Sequence, residues 1–242
     1  MTNNAGMDLP EYTTAGLAAM TPAALVQLLV RDEDRVQRAV IDECARRGDA
    51  MLDRLEHPLT DADAWADKVP LGEWWLRFHA AMILGQIPSA RAGQLLAKLL
   101  TQMAIAVDDS LQDWLAAYWS ALFRNKPGAV RPAVRAVAED RTLDWYYRSG
   151  AVEAALAMAE ERSPRALEEE LDWAAAIASA EDEDWDLRLL TGATLLDYPR
   201  ERHRALLDAR VRRQSSAHLA FDADDIARAF TPPGEPRMVD HF

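Results

Sequence analysis

Residues 73–88 read EWWLRFHAAMILGQIP, in which an acidic residue precedes Trp, Arg follows three positions after that Trp, and Pro ends the segment. Apolar side chains cover most of the circumference of the helix that this stretch predicts, which indicates a helix buried on two sides. The same order of residues recurs along the chain, and the Trp positions are separated by 40, 31 and 40 residues. The further copies begin at Asp113-Trp114, Asp144-Trp145 and Asp184-Trp185.

A helical motif that recurs every 35–45 residues or so is typical of an α-solenoid, in which each helix pair buries its apolar face against its neighbours. No stretch alternates between apolar and polar residues for long enough to predict a strand. The sequence therefore predicts an all-α superhelix, a HEAT- or armadillo-like solenoid of about five helix pairs. We predict one solenoid domain over residues 15–231, with a flexible N-terminus at 1–14 and a flexible C-terminal tail at 232–242.

The helix boundaries follow from capping residues and from Pro and Gly. Thr21-Pro22 predicts a helix start, because the hydroxyl can cap free N–H groups and Pro needs no donor at the first helical position. Residues 57–72 contain two Pro, a Gly and several charges, and predict a loop with a short helical turn at Trp65. The predicted helix pairs are 22–30 with 33–47, 74–88 with 89–104, 109–124 with 128–139, 142–161 with 164–179, and 183–197 with 200–213.

An acidic residue lies four positions before Arg in most of the repeats. Such an acid can cap the first turn of its helix, and the pair contributes about 0.2–0.5 kcal/mol within one helix. In a solenoid the Arg can also reach the acid of the adjacent repeat, so we predict a structural ladder of acid–Arg contacts, broken where Ala117 replaces Arg. Its members are Asp34 with Arg38, Glu73 with Arg77, Asp144 with Arg148, and Asp184 with Arg188.

The composition narrows the class of partner. The net charge of −13 opposes binding to nucleic acid or to an anionic membrane surface and favours a basic protein or peptide. The single cysteine, Cys44, can form no internal disulfide and is predicted to be a passive core thiol. The sequence shows no signal peptide and no long apolar run, which predicts a cytoplasmic protein. Oligomeric state is left open.

Acidic residues are concentrated between Glu160 and Asp186, where eleven acids and two Arg give a net charge of −9. One interpretation is an acidic docking patch for a basic partner. The other is that the Arg-rich helix after residue 200 neutralises these charges and that they serve solubility. The predicted partner-binding residues are Glu168, Glu169, Glu170, Asp172, Asp182 and Glu183.

The Trp residues at repeat positions predict buried contacts between repeats, although a peptide-binding face is the alternative. Trp65 and Trp173 lie outside the repeat register and are the better candidates for exposed contacts. No His lies in a metal-binding motif, and no nucleophile or phosphate-loop motif is present. We predict no catalytic residue, no metal and no cofactor. The histidines considered are His57, His79, His203, His218 and His241, with Ser215-Ser216 considered as nucleophiles.

Residues 73–231 resemble a known family in pattern and order. The stretches WWLRFHAAMILGQIPSARAGQLLAKLL, DSLQDWLAAYWSALFRNKPGAVRPAVRAVAEDRTLDWYYRSGAVEAALAMA and FDADDIARAF together resemble the bacterial family of uncharacterised proteins called DUF1186. The resemblance implies a HEAT- or armadillo-type helical repeat and no established activity. Many members carry a Cys-rich zinc-binding segment at the C-terminus, whereas this sequence ends in TPPGEPRMVDHF, so the resemblance implies no zinc here.

These observations favour a non-catalytic protein-binding or scaffolding module with an acidic patch. The alternative is a HEAT-like enzyme or small-ligand-binding protein, glycosylase-like or lyase-like, with its site in the concave groove. A glycosylase needs a basic face to hold DNA, and the charge of this chain has the opposite sign. A closed apolar pocket with converging polar groups would favour a small-ligand site, and an open channel would favour a protein partner.

Overall fold

The structure is a computed structural model that describes residues 10–65, 69–213 and 220–231. Across these residues the chain is all-α and contains no strand, which confirms the predicted fold class. The chain divides after Glu161 into two compact units, which we call unit 1 and unit 2. None of the described helices is long and apolar enough to cross a membrane. The predicted tail at 232–242 and residues 1–9 of the predicted N-terminus lie outside the described residues.

Unit 1 consists of helices joined by short loops and 3₁₀ turns. Its helices are α1 (Thr14–Ala19), α2 (Pro22–Asp32), α3 (Arg38–Arg46), α4 (Asp49–Thr60), α5 (Leu71–Gln86), α6 (Ala90–Ala106), α7 (Asp109–Leu115), α8 (Trp119–Phe123), α9 (Arg131–Glu139) and α10 (Trp145–Arg162). The 3₁₀ turns are Glu33–Arg35, Ala62–Trp65, Ala116–Tyr118 and Gly128–Val130.

The helix starts follow the local chemistry that the sequence predicts. Thr21 accepts the N–H of Ala24 at 3.2 Å, and Pro22 takes the first helical position of α2. Residues 10–14 of the predicted flexible N-terminus are in contact with unit 1, since the Tyr12 hydroxyl donates to Asp32. The cap and the hydroxyl contact hold the beginning of the described chain in place.

The predicted loop at 57–72 begins later than expected, because α4 continues through Pro58 to Thr60. Pro58 lacks the N–H that a helix interior uses. Leu55 and Leu59 are both fully buried, and their packing keeps this turn helical in spite of the missing donor. The predicted turn at Trp65 is confirmed as the 3₁₀ turn Ala62–Trp65.

Two predicted helices are shorter in the structure. The helix predicted at 33–47 begins at Arg38, because residues 33–35 form a 3₁₀ turn instead. The helix predicted at 109–124 is divided into α7 and α8 by the 3₁₀ turn Ala116–Tyr118. A 3₁₀ turn has three residues per turn, so it rotates the side chains that follow it. Trp119 is fully buried at the start of α8 as a result of this geometry.

Helix α5 lies at the centre of unit 1, where it packs against α2, α3 and α8, while α6 packs against α4 and α9. Each of these contacts joins helices two or three places apart in the chain, so helices of adjacent repeats are neighbours in space, as in a solenoid. Glycine allows the closest approach, since a Cβ on Gly72 would lie 2.2 Å from the carbonyl oxygen of Val30 on α2. The core residues that α2, α5 and α6 bury include Leu25, Leu29, Ile83, Leu84, Leu95, Leu96 and Leu99.

Unit 2 contains four described helices, in which α12 packs between α11 and α13, and α14 contacts both α12 and α13. Its helices are α11 (Pro164–Ser179), α12 (Trp185–Leu196), α13 (Glu201–Arg213) and α14 (Ala223–Phe230). Leu171, Leu187 and Leu207 are fully buried in the centre of this packing. The last described helix is α14, and Asp222 and Asp225 form a capping box at its N-terminus.

Candidate functional site

The predicted acidic patch is largely paired with basic residues of its own unit. Glu168 accepts hydrogen bonds from Arg200 and Arg202, each at 2.7 Å, and these bonds lower the pKa of its carboxyl group. Asp172 also pairs with Arg202, at 2.8 Å. Glu169 pairs with Arg165 of its own helix at 3.0 Å. The structure therefore brings the Arg-rich helix α13 against the acids of α11, as the solubility interpretation expects.

One predicted partner-binding residue is not on the surface. Glu170 is 0% exposed in α11, so its carboxylate is out of reach of a partner protein. Glu170, Leu171 and Ala174 are all buried on one side of α11. Glu170 and Ala174 are four positions apart, and residues at this spacing lie on the same face of a helix. Asp182 and Glu183 lie in the turn before α12, where Asp182 is exposed and Glu183 is half-buried.

The predicted acid–Arg ladder is present at Arg77. Its guanidinium group lies 3.7 Å from Asp108, the N-cap residue of α7, and stacks over the Trp65 ring at 3.9 Å. Arg77 also donates to the carbonyl of Ala64. Burial lowers the pKa of Arg77, while Asp108 and Glu73 raise it. Arg77 thus ties α5 to the 3₁₀ turn before it and to the next repeat.

At two other predicted ladder positions the acids cap their own helices. Arg148 is buried, and its Nε donates to the carbonyl of Ala138 at 2.8 Å. Asp144 accepts the N–H of Tyr146 at 2.9 Å, and Asp184 accepts those of Asp186 and Leu187, so both acids cap their helices. At Arg188 the predicted contact with an acid is absent from the described residues.

The first predicted pair, Asp34 with Arg38, does not share a helix. Asp34 lies in the 3₁₀ turn Glu33–Arg35, whereas Arg38 is the first residue of α3. Arg38 pairs instead with Asp42 at 2.6 Å, one turn further along α3, and its side chain is 77% exposed. Asp34 and Arg38 are four positions apart, like the other predicted acid–Arg pairs, but they belong to separate elements.

The prediction that the repeat Trp residues are mostly buried is wrong at Trp114. Trp74, Trp145 and Trp185 are half-buried, and Trp114 is 52% exposed. The residue two positions after each half-buried Trp takes the interior instead, as Leu76, Tyr147 and Leu187 do. Trp114 is also not near a helix start, since α7 ends at Leu115.

The expectation for the Trp residues outside the register is wrong at Trp65. Its side chain is 9% exposed, because the guanidinium group of Arg77 covers its ring. Trp173 is half-buried on α11. The one fully buried Trp of the described chain is Trp119, whose Nε1 donates to Gln112 at 3.1 Å.

Five aromatic side chains from α5 and α7 form a surface of unit 1 that we call the aromatic cluster: Trp74, Trp75, Phe78, His79 and Trp114. Trp75, Phe78 and Trp114 pack edge to face in all three combinations, with centroid distances of 5.7, 5.4 and 5.5 Å. His79 stacks on Trp75 at 5.8 Å, and its Nε2 lies 2.7 Å from the carbonyl oxygen of Glu33. The sequence pattern did not predict this grouping, because it joins residues of two helices.

Acidic groups lie beside the aromatic cluster. Trp74 donates its indole N–H to Asp108 at 3.4 Å. Asp113, which precedes Trp114, is exposed and accepts the hydroxyl of Tyr146 from α10. Burial and the charge of Asp113 raise the pKa of Tyr146 to about 12, so this hydroxyl stays a donor at neutral pH. The surface therefore combines aromatic rings with negative charge.

Two kinds of reactive group can be assessed in the described residues: metal ligands and the single thiol. No group of three or more His, Cys, Asp and Glu in the described chain could hold a metal ion. Cys44 is fully buried, and burial raises the pKa of its thiol to about 12. The considered residues Ser215, Ser216, His218 and His241 lie outside the described residues.

The clefts found on the described surface are open to solvent. One of about 360 Å³ lies between Trp65, Trp74, Arg77 and Asp108. Its lining includes Trp74, Arg77 and Asp108, which pair with one another, together with the exposed Ser110. Such a cleft fits the side chain of a partner better than an enclosed substrate. In comparisons with known proteins, no family model, no curated protein and no solved structure matches this chain.

Proposed function

We propose that this protein is a non-catalytic binding module that holds a basic peptide, or a basic segment of another protein, on the aromatic cluster of unit 1. The observation that carries the proposal is the 52% exposure of Trp114 where it packs against Trp75 and Phe78. The resemblance to DUF1186 stays a prediction.

Exposed aromatic rings in contact with one another favour protein recognition. A monomeric protein rarely exposes contiguous apolar surface without a function for it, and Trp and Tyr are enriched among the residues that dominate binding energy. Tyr118, four residues after Trp114, is also 47% exposed. Within the cluster, Trp114 is the exposed ring, and it packs on Trp75 and Phe78.

The charge beside the cluster favours a basic occupant. Residues 99–123 include three Asp and no Lys, Arg or His. A Lys or Arg side chain placed over an exposed indole gains about 0.5–1 kcal/mol, and about 2 kcal/mol when desolvated. Nearby carboxylates such as Asp113 and Glu73 would add a charge-assisted contact. A polyanion would be repelled from the same surface.

The acidic segment of unit 2 is a weaker candidate for the contact surface. Its carboxylates at Glu168 and Asp172 are engaged with Arg200 and Arg202, and Glu170 is buried. We therefore place the partner contact on the aromatic cluster.

The proposal is tested with a set of peptides of equal length that differ only in Lys and Arg against Glu and Asp. Binding is measured by fluorescence polarisation for the wild type and for Trp114→Ser. The matched control is Ile105→Ser, which removes a side chain that is 62% exposed on α6 and is not one of the cluster rings. We expect basic peptides to bind wild type and Ile105→Ser equally and Trp114→Ser about tenfold more weakly.

Capture of proteins from cell extract with the same three variants extends the test to natural partners. A genuine partner is retained by wild type and by Ile105→Ser and is lost by Trp114→Ser. Equal binding of basic and acidic peptides, or binding that Trp114→Ser does not change, would exclude the aromatic cluster as the contact surface. Binding of duplex DNA at physiological salt would contradict the basic-partner class.

A further inference from the structure

Unit 2 contains two buried arginines whose N–H groups lack acceptors. Arg188 on α12 is 6% exposed, and its Nε and Nη2 have no hydrogen-bond partner. Arg210 on α13 is 4% exposed, and its Nε and Nη1 have none. A buried N–H group without an acceptor destabilises the native state, and more so when the group is charged. Such groups call for an explanation.

The two side chains lie beside the same indole ring. The Cζ atom of Arg188 is 5.7 Å from the centroid of the Trp185 ring, and the Cζ atom of Arg210 is 5.6 Å from it. Burial lowers the pKa of Arg210, and the charges of Arg188 and Arg213 lower it further, while Glu181 raises it. The two cations thus lie beside one ring, and Glu181, the acid that raises the pKa of Arg210, lies in the exposed turn before α12.

The corresponding arginines of unit 1 have acceptors for their N–H groups. Arg148, which follows Asp144-Trp145 as Arg188 follows Asp184-Trp185, donates its Nε to a backbone carbonyl at 2.8 Å. Arg77 has both the carboxylate of Asp108 and the carbonyl of Ala64. The position of the arginine is therefore kept in these three repeats, but Nε and Nη2 of Arg188 have no acceptor and a second arginine lies beside the same ring.

We infer that Arg188 and Arg210 form a binding site for a small oxyanion, of which inorganic phosphate is the representative. Two guanidinium groups present planar forks of N–H donors that match the oxygens of a phosphate, and a bound anion would offset the repulsion between the two charges. The hydroxyl of Thr191 is a further buried group without a partner, and it lies one turn after Arg188 on α12. A residue at this spacing shares the helix face of Arg188.

The size of the ligand follows from burial. The unpartnered nitrogens are closed off from solvent, and Trp185 is half-buried over both guanidinium groups. Donors enclosed in this way suit a single phosphate or sulfate ion, whereas a polymer needs an open groove. The site therefore differs in ligand class and in place from the aromatic cluster, and neither proposal depends on the other.

Thermal unfolding of the full chain tests the site. We expect the Tm of the wild type to rise with phosphate concentration when sodium chloride keeps ionic strength constant, because a ligand of the native state stabilises it by mass action. Arg188→Met and Arg210→Met should lose this rise. Each should be at least as stable as wild type without phosphate, because a buried charge without a partner is removed at similar volume.

Arg148→Met is the matched control, since it removes a buried and partnered arginine. This variant should be less stable than wild type at every phosphate concentration and should keep the full phosphate response. Calorimetric titration of inorganic phosphate into wild type gives the affinity directly, and we expect it to weaken by about tenfold or more in Arg188→Met. If the Met variants do not fold, Arg210→Gln and the wild-type titration decide the question.

Two results would overturn the inference. One is a Tm of the wild type that is the same in phosphate and in chloride at equal ionic strength. The other is a phosphate response that Arg188→Met and Arg210→Met retain in full, which would show ion binding elsewhere on the surface. Fluorescence provides an independent reading, because a signal change on phosphate addition should disappear in Trp185→Phe.

Discussion

Gly150 of α10 lies directly against the indole of Trp119, so that a Cβ on Gly150 would fall 2.6 Å from Cδ1 of that ring. Trp119 cannot easily move, because it is fully buried and its Nε1 donates to Gln112. Gln112 in turn donates to the carbonyl of Tyr146 on α10 at 3.0 Å. The absence of a side chain at one position therefore allows α10 to pack on α8.

Gly150→Ala should lower the free energy of unfolding by on the order of 1–3 kcal/mol, because the added methyl group overpacks the core. In an unhindered helix the same change would stabilise by about 0.5–1 kcal/mol. Gly192→Ala is the graded control, since a Cβ there would lie 3.2 Å from Phe221 and requires a smaller adjustment. Urea unfolding measures both. A Gly150→Ala midpoint at or above that of wild type would contradict the packing described.

Arg148→Ala should destabilise unit 1 by on the order of 1–3 kcal/mol, because the buried carbonyl of Ala138 loses its donor. Arg38→Ala provides the exposed comparison, since its pair with Asp42 is solvated and should contribute less than about 0.5 kcal/mol. The measurement is the urea midpoint of each variant. Equal midpoints would show that Arg148 contributes no more than a surface residue.

Glu169→Lys should change the stability little and Glu170→Lys should lower it strongly, although the two residues are adjacent. Glu169 is exposed beside Arg165, and reversing its charge should change stability by about 0.5 kcal/mol or less. Glu170 is fully buried, and a Lys in its place should lower the free energy of unfolding by about 3 kcal/mol or more. Circular dichroism during heating separates the two. Similar Tm values would contradict the burial of Glu170.

Acidification should destabilise the protein through His79. Burial lowers the pKa of His79 below its ordinary 6.5, while the Glu33 carbonyl raises it. Below pH 6.5 the unfolded chain therefore binds a proton more readily than the native chain, and the free energy of unfolding falls as pH falls from 6.5 toward the native pKa. His203 is shifted in the same direction, first by burial and then by Arg202.

His79→Gln tests the source of this dependence, because Gln keeps an N–H donor and does not titrate. Urea unfolding above and below pH 6.5 should show a smaller loss of stability in His79→Gln than in wild type. The same loss in both proteins would assign the pH dependence to other groups.

Cys44 should react with iodoacetamide only after unfolding. Its side chain is fully buried, and the raised pKa of its thiol, about 12, leaves very little thiolate at neutral pH. Mass spectrometry should find slow alkylation in buffer and complete alkylation in urea. Rapid alkylation of the native protein would contradict a passive core thiol.

Local chemistry in the sequence determined where many helices begin. Thr21-Pro22, Asp144 and Asp184 cap their helices through contacts within three residues, so each cap can be read without knowing the fold. The recurrence of acid, Trp and Arg predicted an all-α superhelix for a similar reason, since the repeat reports the period of the packing unit itself. These features depend on short stretches of chain.

Tertiary structure decided how exposed each repeat Trp is and which residues each repeat Arg contacts. Trp74 and Trp114 follow the same kind of acidic residue, yet the short α7 and the turn after it leave Trp114 in solvent. Arg77 meets an acid because Asp108 caps the next helix, whereas the packing of α12 on α13 brings Arg188 to Arg210. Sequence spacing determines which face of a helix a residue occupies, and only the packing of other helices determines what that face meets.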